Sequence, residues 1–301
     1  MYTVKKFISK NYIPCILFSY LFSRLVTYFY FDISIDEKWL FGLWQHIAEP
    51  YLRENLFKSL LYFHAQPPLW NLILGIGVKF QSYISLEVYV STFNIICSLI
   101  IAYSSLKILK LLKFSNINTY ILCLILIILS PSILFFENLP TYAHFTCVLL
   151  FLIKLYFLKI YKNYKLKYEL LIYTFSTFTI LSWSAYIIYF NILIFFLMLP
   201  VILREKKFYN SIIIFLLFFT LGSSPSIKNK ILFDIFSNSS WTGLNAAQAT
   251  GYDRQDWPLC GFLRDNLDLY NLTFKNNNNN KVFFNNEILN DKSFNDLGYI
   301  Y

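Results

Sequence analysis

Apolar runs at residues 11–31, 86–106, 117–136, 141–158 and 208–222 recur along this chain at or near the length of a membrane-crossing helix. A helix needs about 20 such residues to cross the hydrocarbon of a bilayer. A further stretch, 170–203, is broken by Ser182, Trp183 and Ser184 and divides into two short helices joined at a membrane surface. Only 14% of the 301 residues are charged and 57% are hydrophobic, whereas soluble domains carry about a quarter charged. The runs therefore predict an all-α integral membrane protein. The first run follows lysines without a small-residue cleavage site after Phe31, so it reads as a retained anchor.

One apolar run, Pro67 to Phe80, is too short to cross comfortably and opens with two prolines. Charge counting decides its fate, because Lys and Arg collect in cytoplasmic loops. If it stays at the surface, the clusters at Lys5–Lys10, Lys107–Lys113, Lys159–Lys167 and Arg204–Lys207 all fall inside. If it crosses, the last three flip outward. It is accordingly read as an interfacial helix, which leaves seven spans with the N-terminus in the cytoplasm. Residues 1–222 form the bundle, with 32–85 as its first outer loop, and 223–301 form a polar extracytoplasmic segment. That segment carries five consecutive Asn at 276–280 and reaches Tyr301 without an obvious stop, so it reads as part of a truncated C-terminal region.

The net charge of +9 lies in short loops: residues 1–222 hold 19 basic against 9 acidic side chains. Such a pattern sets topology and excludes a nucleic-acid-binding surface. The cysteines show no CxxC pair, the glycines form no phosphate loop, and no HExxH or nucleophile elbow is present. Neither a resident metal nor a cytoplasmic nucleotide-sugar site is expected.

The polar side chains gather instead on the outer face. Five of the nine acids before residue 223 lie between 32 and 66, and Glu137 is the only charge between Lys113 and Lys154. The first loop runs from Arg24-Leu-Val-Thr through Asp36-Glu37-Lys38-Trp39 and an aromatic stretch to His64-Ala-Gln66-Pro67-Pro68-Leu69-Trp70. This order resembles the GT-C superfamily of membrane glycosyltransferases, particularly the branch of protein mannosyltransferases and aminoarabinose transferases. The resemblance covers about the first 220 residues as architecture and 24–70 as motif. In that family the histidine often abuts the prolines; here Gln66 does. A second, looser likeness is Ser237-Asn238-Ser239-Ser240-Trp241-Thr242-Gly243-Leu244-Asn245.

The resemblance implies a GT-C-like bundle that moves a sugar from a polyprenyl-phosphate-linked donor to an unknown glycan, lipid or protein acceptor, with inversion. It implies Asp36 as the base that activates the acceptor. Glu37, Glu137, Arg24, His64 and Gln66 are the substrate-binding candidates, and a divalent cation is admitted beside the second acid, Glu137. A bacterial cytoplasmic membrane is favoured over endoplasmic reticulum.

Each residue also has a structural reading. Asp36 and Glu37 suit the first turn of an interfacial helix, and Glu137 suits an ordinary exposed loop. Arg24 is costly in a span and pairs with Asp32 or Asp36 if it does not hold phosphate. Arg53, Lys58 and Lys79 are phosphate candidates or simply snorkel. His144 hydrogen-bonds within the bundle. Two other functions stay open: a transporter or flippase, disfavoured because no repeat or buried acid is evident, and a polysaccharide polymerase or ligase.

Overall fold

An apolar backbone segment out of water has to satisfy its own N–H and C=O groups, and helix is the local way to do so. A computed structural model describes residues 2–35, 40, 46–64, 66–233 and 236–239, and among these residues every regular element is helical. Helix α1 spans Tyr2–Phe31 and is kinked at Asn11, three residues before Pro14, whose ring and missing N–H interrupt the ladder. Two first-loop helices follow, α2 (Glu49–Tyr62) and α3 (Leu69–Lys79). Then come α4 (Leu86–Leu111), α5 (Asn116–Cys123) and α6 (Pro131–Glu137). The last four are α7 (Tyr142–Lys162), α8 (Leu166–Ser182), α9 (Tyr189–Arg204) and α10 (Phe208–Phe233).

Four helices are long and apolar enough to cross a membrane: α1 from Lys10, α4, α7 and α10. A fifth crossing results if α5 and α6 are taken as one broken span. This is fewer than the seven expected. The difference lies in α8 and α9, whose 17 and 16 residues reach only about 25 Å at 1.5 Å per residue, short of hydrocarbon about 30 Å thick. The break between them falls at Trp183–Ile188, at the polar residues expected to divide 170–203.

Two local departures have clear causes. The run 117–136, expected as one helix, passes from α5 into a π-turn at Leu124–Ile128 and bends by 52° before α6. Ser130 caps the new helix by accepting from Ile133 N, and Pro131 opens it, the favoured pairing at a helix start. In contrast, α10 runs through the polar Gly222-Ser-Ser-Pro-Ser stretch to Phe233, beyond the boundary set at 222. There Ser223 Oγ donates to Phe219 O at 2.6 Å and Ser224 Oγ to Leu221 O at 2.7 Å, so these hydroxyls are satisfied inside the helix.

The first-loop helices pack as a lid on one end of the bundle. Leu52, Leu56, Trp70, Leu74, Val90 and Tyr142 share one apolar cluster, and α3 contacts both α4 and α8. Gly75 permits this packing, because a Cβ there would collide with Leu56. At the opposite end Lys162 Nζ donates to Leu111 O at 2.5 Å and Arg204 Nη2 to Tyr161 O at 3.3 Å. The basic turns thus share one end and the first loop the other.

Candidate functional site

Tyr20 and Arg24 stand one turn apart on α1 and converge on Glu137, the last residue of α6. Tyr20 Oη donates to Glu137 Oε1 at 2.6 Å, and Arg24 Nε donates to Oε2 at 2.8 Å and Oε1 at 3.0 Å. Arg24 Nη2 lies 2.7 Å from Oε2. Nη1 donates to Ile128 O at 2.9 Å, a carbonyl left over at the end of the π-turn. Asn94 Nδ2 donates to the Glu137 carbonyl at 2.8 Å. One cation therefore bridges both halves of the broken span.

This geometry corrects three expectations. Glu137 is no exposed loop residue: it is 5% exposed, because the bend swings α6 inward. Arg24 pairs with Glu137 rather than with Asp32, which is exposed at the end of α1. Buried acids do exist, Glu137 and Glu169 both being enclosed. Both carboxylate oxygens of Glu137 accept hydrogen bonds from Arg24 or Tyr20. Arg24 carries its charge against that of Glu137.

A second polar centre lies under the first loop. Beyond α2, the turn at Phe63–Pro68 carries half-buried His64 and fully buried Gln66, whose Oε1 accepts from Ser184 N at 3.4 Å. Asn238 Nδ2 donates to Tyr186 O at 3.0 Å, and Asn229 Nδ2 to Ser237 O at 2.8 Å. Lys228 Nζ donates to Phe63 O. Four segments distant in sequence, at 63–66, 184–186, 228–229 and 237–239, therefore meet at one junction. Asp36 and Glu37, the proposed base and its neighbour, lie outside the described residues, as do Ser240 to Asn245.

His46, Arg53 and Lys79 of the first loop are engaged structurally. Trp70 Nε1 donates to His46 Nε2 at 3.1 Å, and because an indole only donates, His46 is the Nδ1–H tautomer, donating to Leu40 O at 2.6 Å. Burial pushes its imidazole down to about 4. With both nitrogens used, it is neither base nor ligand. Arg53 pairs with Glu49 and donates to Gln81 Oε1 at 2.8 Å, while Lys79 Nζ donates to Arg53 O. The Lys79–Arg53 and Arg53–Gln81 bonds tie α2 to α3 and the residues just after it. His144 Nε2 meets Ser98 Oγ at 2.8 Å inside the bundle.

Tyr20 and Lys228 were not singled out from the sequence. Signals existed for both: Tyr20 precedes a span arginine by one turn, and Lys228 is the first charge after the apolar run that follows Lys207. Comparison with known family models, curated proteins and solved structures gives no match.

Proposed function

We propose that this chain is a glycosyltransferase of the GT-C type, moving a sugar from a polyprenyl-phosphate-linked donor to an acceptor hydroxyl or amine on the outer face. The observation that supports the reading is the junction: the His64–Gln66–Pro67–Pro68 turn and the Ser237–Ser239 stretch are joined through Ser184–Tyr186 and Lys228–Asn229, and these are two of the segments on which the resemblance rests. In this reading α8 and α9 are short crossings, giving seven spans with the first loop outside in a bacterial cytoplasmic membrane. Asp36 takes the proton of the acceptor as phosphate leaves, and the sugar inverts. The apolar wall of the loop helices excludes water, which strengthens such proton transfer.

The test is Asp36→Asn in the full chain, assayed for sugar transfer from a lipid-linked donor. Turnover is expected to fall by about 10²-fold or more, the usual worth of a positioned base, with an unchanged melting temperature. Wild-type turnover would remove Asp36 from the mechanism.

A transporter or flippase is the second reading, and it is favoured by the 52° break in α5–α6 with a buried ion pair across it, since broken helices and intramembrane charges mark transport paths. In sealed liposomes without acceptor, translocation of a lipid-linked sugar at wild-type rate in the Asp36→Asn variant would favour it.

A further inference from the structure

Lys228 is a half-buried cation near the outer end of α10 whose only polar partner among the described residues is the Phe63 carbonyl. A lysine ammonium has three donors, so two find no partner among the described residues, and none of the described carboxylates compensates the charge. A partly enclosed cation without an acid beside it is costly to hold. This contrasts with Arg24, which is neutralised by Glu137. The Phe63 carbonyl ends α2 and so offers part of a negative helix end, but a single dipole end leaves most of a full charge unmet.

A second observation lies one residue on. Asn229 is 1% exposed, and its Oδ1 has no hydrogen-bond partner, although its Nδ2 is tied to Ser237. An unmet acceptor beside an unmet cation matches a ligand that carries both an anion and a hydroxyl donor. The turn bearing His64 and Gln66 borders the same junction.

We infer that Lys228 is the phosphate-holding residue of this protein, taking the phosphate of a lipid-linked donor while Asn229 Oδ1 accepts from a hydroxyl of the attached sugar. This deepens the transferase reading and rests on it for the identity of the ligand as a donor. The binding step itself does not depend on transfer.

The test uses the full chain in phosphatidylcholine nanodiscs, with farnesyl phosphate as probe, farnesol as its uncharged counterpart, and inorganic phosphate at equal concentration. Farnesyl phosphate is expected to raise the melting temperature of the wild-type protein, and farnesol to leave it unchanged. Lys228→Gln keeps a donor for Phe63 but drops the charge. It is expected to bind farnesyl phosphate at least roughly tenfold more weakly, the worth of one charge-assisted hydrogen bond, whereas Lys228→Arg retains binding. Equal binding by Lys228→Gln overturns the assignment, as does equal binding of farnesol and farnesyl phosphate by the wild-type protein, a comparison that needs no variant to fold. An equal shift from inorganic phosphate overturns the lipid-linked source. Phosphate binding that Lys228→Gln loses, alongside full activity of Asp36→Asn, retains the site and removes the proposed base.

Discussion

The two ends of the bundle handle charge in opposite ways. At the basic end the lysines sit exposed or half-exposed at helix ends and turns, and Glu169, buried, lies in the first turn of α8 and accepts from Tyr164 Oη at 2.6 Å. The helix N-terminus favours that carboxylate without any cation. Burial, reinforced by the bond to Glu169, pushes the Tyr164 phenol up to about 12. At the first-loop end, the enclosed charges among the described residues are few and specific: Arg24 locked to Glu137, and half-buried Lys228 with no described acid beside it. Many charges stay near water; a few enclosed ones hold distant segments together.

This contrast breaks most readily at Glu137. Glu137→Gln leaves Arg24 buried and uncompensated, and it is expected to cost about 3–5 kcal/mol. Replacing both partners by apolar residues (Arg24→Met with Glu137→Leu) is expected to recover much of that loss in thermal unfolding. Glu169→Gln, which removes an acid served by one phenol and a helix end, is expected to cost only about 1 kcal/mol. If the two single variants melt alike, the ends do not differ as described.

Acid sharpens the comparison further. The buried His46 stays neutral down to about 4, against an ordinary value of 6.5. Between those values the unfolded chain binds a proton that the folded one refuses, so folding stability falls as pH drops from about 6.5 toward 4 and is level above 7. A melting curve at pH 5 should lie several degrees below that at pH 7, and His46→Asn should flatten the difference.

The smallest effect concerns the turns of the basic end. Lys113 and Lys206 adopt left-handed backbone, with φ of 67° and 54°, just past the ends of α4 and α9, where glycine is the usual occupant. Lys206→Gly is expected to be neutral or stabilising by up to about 1 kcal/mol. Destabilisation in a chemical unfolding series would show that the lysine side chain holds the turn.

Much of the helical layout was legible because apolar run length maps directly onto helix length. Residues 86–106 and 141–158 became α4 and α7, each extended by a turn or so at its basic end, and Pro67–Phe80 became α3. The broken span was not legible by that measure, since Leu124 to Ile128 are as apolar as any helix interior. Its one local sign, Ser130 before Pro131, reads as a helix start only once an interruption is suspected. The Arg24–Glu137 pair was hidden for another reason: periodicity assigns a residue to a face of its own helix and says nothing of what stands opposite. In α10 the serines masked continuity, because their hydroxyls turn back onto the backbone and cost the helix little.

The bridge across the broken span also dictates an order of assembly. Arg24 belongs to the first helix synthesised, whereas its partner acid follows 113 residues later, after α4 and α5. An arginine in a newly inserted helix costs about 2.5–3.5 kcal/mol at the bilayer centre, so α1 waits in the membrane as an incomplete piece until α6 arrives. Completion of the first helix is in this way made conditional on α6, and a chain halted before Glu137 would carry its arginine unrelieved.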